Sequence, residues 1–258
     1  MKIISWNLNS IRVRINQVIE LLDQQNPDIL CLQETKIVNN QFPKESFMKK
    51  GYTSYFNGIP SYNGVAILSK KKGSEKTINL CEKDDARYLS LKTEKIEIIS
   101  VYVPAGGDEP DEENNPKFKH KLFFLDELSK LLKKKRGEKI VLCGDLNVAP
   151  YEDDVWSHKS LTNVVSHTEC ERERIVKLLD KCDLVDSIRC FLNPPQNIFT
   201  WWSYRSPNYK TNNRGRRLDH IFAASRISNK ITSAAILDDF RDKEKPSDHV
   251  PIMIQMDI

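Results

Sequence analysis

The sequence predicts a protein of the α/β class, because strand-like apolar runs alternate with amphipathic helices. Residues 2–6 and 28–33 are predicted strands, the second of them buried. Between them, apolar side chains from Ile11 onward recur on one helical face. Ser10 is the predicted N-cap of this helix, and Asn26-Pro27 ends it. This strand–helix–strand order is a β-α-β unit, which is typical of α/β proteins.

The composition is that of a globular chain with one large core. The chain has 258 residues, of which 39% are hydrophobic, and it contains 40 Lys and Arg residues and 36 Asp and Glu residues. Because no linker or low-complexity tract divides it, we predict a single domain over residues 1–258. The net charge of +4 permits a polyanionic partner without requiring one.

Cysteine usage and the N-terminus both favour a cytoplasmic protein. The six cysteines show no C-x-x-C spacing, and Cys31 and Cys143 lie within apolar strand-like runs, which suits reduced, buried thiols. The N-terminal stretch MKIISWNLNS is short and polar for a signal peptide, and no apolar run approaches ~18 residues. We therefore expect a cytoplasmic location and no membrane partner.

The rest of the chain continues the alternation of strands and helices. Further strands are predicted at residues 64–70, 87–92, 96–103, 140–143, 218–223 and 250–256. Further helices are predicted at residues 117–136 and 171–181, each with one apolar face. The acidic, turn-rich residues 108–116 are predicted to form a surface loop.

Residues 140–150, IVLCGDLNVAP, combine a buried strand with polar side chains at its end. After four apolar residues Gly144 breaks the run, and Asp145 and Asn147 then point to the same side of the backbone. They leave the apolar interior where α/β sheets usually place their ligands. A polar turn explains this stretch equally well, since Gly, Asp and Asn are ordinary turn residues.

The same arrangement recurs, which decides between the two interpretations. Polar side chains stand at the end or start of five apolar strand segments: Asn7, Glu34, Asp145 with Asn147, Asp219, and Asp248 with His249. If all were structural, each would need its own partner to avoid an unsatisfied buried group. If the two halves of the chain pack as facing sheets, all five can converge on one rim.

The residue types at this predicted rim suit a hard cation and a phosphate. Carboxylate and amide oxygens without clustered Cys or His favour Mg²⁺ over zinc. A histidine beside one Asp, with a second Asp elsewhere, could form an oriented imidazole that contacts a phosphate. The sequence contains no G-x-S-x-G, P-loop or G-x-G-x-x-G motif. The residues alone therefore indicate metal-assisted chemistry on a phosphate ester.

Six motifs extend this prediction, and they follow one another over nearly the whole chain. They are WNLNSIR (6–12), LQETK (32–36), YVPAGG (102–107), GDLNVAP (144–150), RRLDHI (216–221) and SDHVPI (247–252). In these motifs the chain resembles the exonuclease III family of AP endonucleases, within the endonuclease/exonuclease/phosphatase superfamily. The resemblance implies a four-layer α/β sandwich of two packed, mostly antiparallel sheets flanked by helices.

The resemblance also implies a role for each polar residue. Glu34 would be the main Mg²⁺ ligand, and Mn²⁺ could substitute for Mg²⁺. The residues implied around the metal are Asn7, Asp145, Asn147, Asp248 and His249. Asp145 would activate the attacking water and Asn147 would hold it. His249, paired with Asp219, would bind the scissile phosphate. Tyr102 would act near the leaving oxygen or the water, although without the family an aromatic anchor for a turn explains it better.

The implied reaction is in-line attack of water on a DNA phosphodiester, with one or two metal ions left open. The implied partner is double-stranded DNA with abasic sites or blocked 3′ ends. The implied activities are incision 5′ to abasic sites, 3′→5′ exonuclease and removal of 3′-phosphate groups. We expect a monomer, associated with the nucleoid if the source is bacterial.

Substrate recognition is predicted to lie in the loops. Trp201, Arg216 and Leu218 match family positions that form a pocket for a flipped-out abasic sugar. Core packing is the alternative for Trp201 and Trp202, and we expect it for one of the pair. The candidate phosphate contacts are Arg12, Lys36, Arg87, Arg205 and Arg214, any of which could be a solvated charge.

Three departures from the family bear on the balance of activities. Ala105 replaces an Asn or Gln, Arg216 replaces a bulky aromatic residue, and residues 156–168 lack an Asn-Ala-Gly-Phe pattern. Two alternative functions remain. One is a sister enzyme for a lipid or cyclic phosphodiester, against which the basic, aromatic residues 199–217 stand. The other is a DNA-binding module without catalysis, against which the complete acidic set stands.

Overall fold

Two six-stranded mixed sheets pack against each other in the computed structural model, which describes residues 1–206 and 208–258. The strands are β1 (Lys2–Asn7), β2 (Ile29–Gln33), β3 (Thr53–Asn57), β4 (Val65–Ser69), β5 (Ser74–Thr77), β6 (Tyr88–Lys92), β7 (Glu97–Tyr102), β8 (Ile140–Asp145), β9 (Leu184–Asp186), β10 (Asp219–Ala224), β11 (Ile231–Ile236) and β12 (Ile252–Met256). The first sheet has the order β11-β12-β1-β2-β4-β3, and the second has the order β5-β6-β7-β8-β10-β9.

Helices cover the outer faces of the two sheets. They are α1 (Ile11–Gln25), α2 (Lys44–Met48), α3 (Pro116–Lys133), α4 (His158–Leu161), α5 (Glu169–Cys182), α6 (Tyr209–Asn212) and α7 (Ser225–Ser228). Helix α1 packs on the first sheet, while α3 and α5 pack on each other and on the second. The four predicted layers are therefore confirmed. In the described part of the chain, no helix has the length and apolar character needed to cross a membrane.

One parallel strand pair lies at the centre of each sheet. Strands β1 and β2 run parallel and are joined by α1, which confirms the predicted β-α-β unit. Strands β7 and β8 also run parallel and are joined by α3. Strand β10 runs antiparallel to β8, so its first residue, Asp219, pairs with the last residue of β8, Asp145. Strand ends and a strand start thus meet at one edge, where polar side chains can leave the core.

Side chains alternate between two cores along the central strands. Ile3 and Cys31 face the second sheet, whereas Ile4 and Leu30 face α1. Cys31 and Cys143 are buried and free, as predicted. Towards the edge where the strand ends meet, the space between the sheets becomes polar. There the Gln33 amide donates to the hydroxyl of Ser100 in the other sheet over 3.1 Å.

The predicted strands are all present with shifted bounds, but four strands were not predicted. These are β3, β5, β9 and β11, and each lies at an edge of its sheet. Strand β5 is fully exposed and β11 is exposed over part of its length, so neither has the apolar run on which the prediction depends. Ser10 occupies the N-cap position of α1 as predicted, but its side chain makes no capping bond, and its backbone N–H donates to the Glu34 carbonyl.

Gly144 of β8 pairs with Val101 of β7, and an alanine at this position should destabilise the fold. An added Cβ would lie 2.0 Å from the backbone oxygen of Val101, which cannot move without breaking the strand pairing. We expect Gly144→Ala to lower the free energy of unfolding by about 3 kcal/mol or more, measured by urea denaturation.

Gly137→Ala is the matched control for this substitution. Gly137 also has a positive φ, of +84°, but its Cβ would meet nothing within 4 Å. Only backbone strain of about 1 kcal/mol is expected for this control. Equal losses for the two variants would contradict the close-approach explanation.

Candidate active site

The predicted polar residues come together in a cavity of about 500 Å³ at the edge where the two sheets meet. The predicted residues that line it are Glu34, Tyr102, Asp145, Asn147, Trp201, Arg216, Leu218, Asp248 and His249. Asn7 and Asp219 are fully buried and hydrogen-bond to the lining residues Asp145 and His249. The predicted convergence of the five strand ends is therefore confirmed.

Asn7 joins the two sheets at the floor of this cavity. Its amide nitrogen donates to Glu34 Oε1 over 2.9 Å and to Asp145 Oδ2 over 2.8 Å. Glu34 follows β2 in the first sheet, and Asp145 ends β8 in the second. The amide oxygen of Asn7 accepts from the backbone N–H of Asn9 over 3.0 Å. Asn7 therefore holds two carboxylates at a set separation, and its own role as a metal ligand stays a prediction.

Asp145 is a buried carboxyl surrounded by hydrogen-bond donors. Its Oδ1 accepts from the backbone N–H of Asn147 over 2.9 Å, and its Oδ2 accepts from the Asn147 amide over 3.2 Å. Burial raises the pKa of Asp145 to about 7; the His249 cation opposes this shift and the Asp219 charge adds to it. A carboxyl with a pKa near neutrality is suited to accept a proton from water.

His249 is held between two carboxylates. Its Nδ1 lies 2.8 Å from Asp219 Oδ2, and its Nε2 lies 3.7 Å from Asp145 Oδ2. Burial lowers the pKa of His249, but the charges of Asp219 and Asp145 outweigh it and raise the pKa to about 10. The ring is therefore an imidazolium, whose Nε2–H faces the same space as Asp145. A cation in this position can hold a phosphate oxygen.

Tyr102 ends β7 beside Asp145 and keeps its proton. Burial and the negative charges of Glu34 and Asp145 hold the pKa of Tyr102 well above its usual value. The Arg87 guanidinium lies 4.6 Å from the centre of the Tyr102 ring and donates to the Tyr102 carbonyl over 3.1 Å. It also pairs with Asp85 over 2.7 Å. Arg87 thus supports Tyr102 from outside the cavity, and its contact with DNA phosphate stays a prediction.

The side chains of Asp248 and Lys36 bond to other residues of the site. Asp248 accepts from the Asn9 amide over 3.0 Å and from the Trp201 indole over 2.9 Å. Burial works to raise the pKa of Asp248, but the His249 cation and these two bonds hold it below its usual value. Lys36 Nζ lies 2.8 Å from Glu34 Oε2. Metal ligation by Asp248 and phosphate binding by Lys36 stay predictions.

The predicted pocket lies on the Trp201 side of the cavity. The Trp201 backbone bridges to both Arg216 and His249, which ties the pocket to the histidine of the site. The Arg216 guanidinium lies 5.5 Å from the centre of the Trp201 ring and donates to the Val165 carbonyl over 3.0 Å. Leu218 and Trp201 belong to one apolar cluster.

The remaining aromatic and basic candidates divide between core, cavity and surface. Trp202 is only 5% exposed and packs with Phe199 and Val250 in the core, as expected for one tryptophan of the pair. Arg205 lines the cavity. Arg214 stacks 4.8 Å from the centre of the Trp156 ring, and Arg12 is exposed on α1.

Three of the predicted site residues have left-handed backbone conformations. The φ angles are +51° for Glu34, +51° for Lys36 and +52° for Asn147. This region is unusual for Glu and Lys, and such conformations persist where the surroundings determine them. The Glu34 carbonyl accepts from Ser10 N over 2.8 Å, and Lys36 N donates to the Asn63 carbonyl over 2.9 Å. The motif LQETK thus forms a constrained turn that presents Glu34 to the cavity.

The best metal-binding group among the described residues consists of Glu34, Asp145 and His249. One ligand atom from each lies within 4.8 Å of the other two. Two of these three residues are carboxylates, and His249 Nε2 lies 3.7 Å from Asp145 Oδ2. Two converging carboxylates fit a hard divalent cation rather than zinc. This group contains three of the six predicted ligands.

Several residues of the site were missed from the sequence. Asn9 donates to Asp248 and accepts from Lys36 Nζ over 2.5 Å, and it lies two positions after Asn7 in the motif WNLNS. That period-two spacing was a usable signal. Thr200 accepts from the backbone N–H groups of Leu218 and Asp219 and has no such signal. Lys121 interrupts the apolar face of α3, which was also a usable signal.

Asp219→Asn should lower the pKa of His249 from about 10, because it removes the carboxylate that contacts Nδ1. A histidine whose pKa is higher in the folded chain than in the unfolded chain stabilises the fold. This stabilisation is complete below the unfolded pKa of about 6.5 and is lost as pH rises through the folded pKa. The wild-type free energy of unfolding should therefore fall as pH rises between the unfolded and folded pKa of His249. In the variant, this fall should end at a lower pH, because the folded pKa is lower.

An NMR titration of the His249 ring tests this prediction. His220 is the internal control, because burial lowers its pKa to about 4 and its ring contacts the Val148 carbonyl instead. An unchanged His249 titration in the variant would contradict the assigned pairing.

Comparisons with known proteins agree with this geometry. The Endonuclease/Exonuclease/phosphatase family model matches residues 4–249. Exodeoxyribonuclease III of Haemophilus influenzae is 33% identical over 273 residues, 98% of each chain. An AP endonuclease from Archaeoglobus fulgidus has a TM-score of 0.93 at 35% identity, and a 3′ phosphatase from Neisseria bound to a product DNA hairpin has a TM-score of 0.93 at 30% identity. Both structural matches cover 100% of the two chains. The chain therefore belongs to the endonuclease/exonuclease/phosphatase family, with exodeoxyribonuclease III and AP endonucleases among its relatives.

Proposed function

We propose that this protein is a Mg²⁺-dependent DNA-repair nuclease that hydrolyses the phosphodiester 5′ to abasic sites. The observation that carries the proposal is the cavity in which Glu34, Asp145 and His249 converge beside an apolar pocket. Its relatives include an AP endonuclease and a 3′ phosphatase seen with product DNA, which supports DNA as the substrate. The same site would act at chain ends as a 3′→5′ exonuclease and a 3′-phosphatase.

The proposed chemistry is in-line attack of water on phosphorus. The water oxygen forms the new bond to phosphorus, and the bond to the 3′ oxygen breaks. Asp145, with a pKa near neutrality, takes the proton that water loses. The His249 imidazolium holds a phosphate oxygen. The Tyr102 phenol, which stays protonated, donates a hydrogen bond near the leaving oxygen or the water, and the leaving oxygen takes its proton from solvent.

Glu34 and Asp145 would hold the metal ion, with Asn7 setting their separation. When bound, Mg²⁺ would neutralise charge on the phosphate and stabilise the leaving oxygen. Asn147 contributes by fixing Asp145, to which it donates both a backbone and a side-chain hydrogen bond. Its own amide would then lie beside the attacking water.

The pocket supplies the preference for abasic sites. An abasic sugar has no base to unstack, so it is the easiest nucleotide to rotate out of a duplex. Trp201 and Leu218 form the apolar wall that would receive it, and Arg216 covers one edge. A normal nucleotide carries a base that this wall would exclude.

An incision assay on a duplex with one tetrahydrofuran abasic analogue tests the proposed function. We expect a single cut 5′ to the analogue in Mg²⁺ and no cut in EDTA, because the phosphate charge is then not neutralised. Binding without cutting under all conditions would show a DNA-binding module. Cleavage of lipid or cyclic phosphodiesters but not DNA would show a sister enzyme.

Glu34→Ala tests the proposed metal site. This substitution should abolish Mg²⁺ binding, measured by isothermal titration calorimetry, and most incision, while the chain still folds. Glu138→Ala, at an exposed residue outside the cavity, is the matched control. Unchanged Mg²⁺ affinity in Glu34→Ala would remove Glu34 from the metal site.

Trp201→Ala tests the pocket. A stacked aromatic contact contributes ~1–3 kcal/mol, so kcat/KM for abasic incision should fall roughly tenfold to a hundredfold. Removal of a 3′-phosphate should be affected much less, because it needs Glu34, Asp145 and His249 but little of the pocket. Equal losses on both substrates, together with a lower melting temperature, would show that Trp201 is a core residue.

A further inference from the structure

Lys121 is a fully buried charge that the proposed chemistry does not use. It lies at 0% exposure on the apolar face of α3, between Phe118 and Leu125. Its Nζ pairs over 2.5 Å with Oε1 of Glu171 on α5, which is also at 0% exposure. Burying two charges is costly, and apolar residues of similar volume are often at least as stable. Stability alone therefore does not explain the pair.

The other hydrogen bonds of Lys121 lead to the catalytic wall. Its Nζ donates to the backbone oxygen of Asn147 over 2.7 Å and to that of Ala105 over 3.2 Å. With Glu171, these partners use all three donors of the ammonium group. Asn147 is the left-handed residue whose backbone and amide both bond to Asp145. Ala105 lies in the segment that follows Tyr102.

Glu171 makes corresponding contacts with the pocket wall. Its carboxylate accepts from the backbone N–H of Ser166 over 2.9 Å and from that of Thr168 over 3.1 Å. The Ser166 hydroxyl in turn accepts from the Arg216 guanidinium over 2.7 Å. The Ser166 carbonyl also accepts from the backbone N–H of Ala149 over 2.7 Å. The ion pair therefore lies at the junction of three segments that line the cavity.

We propose that Lys121 and Glu171 are positioning residues that keep the catalytic turn at Asn147 in register with the pocket wall at Ser166. The inference rests on the proposed function, since it concerns where the cleaved phosphate and the flipped sugar sit relative to each other. A misplacement of about 1 Å can cost about a hundredfold in rate. An ammonium suits this task because three donors can reach two carbonyls and a carboxylate at once. A neutral apolar side chain in its place leaves both backbone turns without a partner.

The test compares Lys121→Met, the double variant Lys121→Met/Glu171→Gln, and Lys135→Met as a control. The double variant avoids an unpaired buried carboxylate, and the amide oxygen of the introduced glutamine can still accept from Ser166 and Thr168. The control breaks the ion pair between Lys135 and Glu97, 2.7 Å long, at the opposite end of β7 from Tyr102. Each variant is checked for folding by its melting temperature before kinetics are measured.

On the tetrahydrofuran duplex, we expect kcat of the folded double variant to fall about 10- to 100-fold with little change in KM. The Lys135→Met control should stay within about twofold of wild type. A kcat of the double variant within about twofold of wild type would overturn the proposal, because the pair would then be purely structural.

Hydrogen exchange provides a readout that does not need activity. The backbone amides of residues 145–149 and 164–168 should exchange faster in the double variant than in wild type, while those of α1 stay unchanged. Unchanged exchange in both segments would overturn the proposal. Should the wild type cut no DNA substrate, the proposed function fails, whereas the exchange experiment still tests the register of the two segments.

Discussion

The site depends on one constraint, which is the amide of Asn7 bonded at once to a carboxylate from each sheet. Glu34 and Asp145 would repel each other if they were held together without a donor between them. The two N–H groups of Asn7 allow both to lie close enough to hold a cation between them. The facing sheets bring β1 and β8 into this range, and the polar contact between Gln33 and Ser100 continues the same zone inward. The fold and the metal site are therefore specified together.

Electrostatics divides the roles among the buried groups. Two carboxylates surround His249 and keep it positive, while burial and neighbouring negative charge bring Asp145 to a pKa near neutrality. The same negative charge keeps the Tyr102 phenol protonated. One cation, one base and one protonated phenol thus arise from a single cluster. Each pKa depends on the others, so the cluster acts as a unit.

Sequence reasoning predicted the parts of the molecule whose signal is local. Buried central strands and the strand-end residues Glu34, Asp145 and His249 are visible as apolar runs that stop at polar side chains. Edge strand β5 was missed because its residues are all exposed and lack that contrast. The bond between Asp219 and His249 crosses 30 positions, and only the family resemblance predicted it. Which partner a polar group chooses is a tertiary fact, and spacing alone does not contain it.

The pairing of β1 with β12 has a consequence for the order in which the protein becomes competent. Lys2 lies opposite Gln255, and the Trp6 indole donates to the His249 carbonyl over 3.1 Å. The Ser247 hydroxyl also donates to the Asn7 carbonyl over 2.7 Å. Pairing Lys2 with Gln255 closes a loop that spans almost the whole chain. We expect this step to come late in folding, after the local helices and hairpins have formed. A chain whose translation has not reached residue 249 therefore carries Glu34 and Asp145 but no histidine beside them, so its site is incomplete.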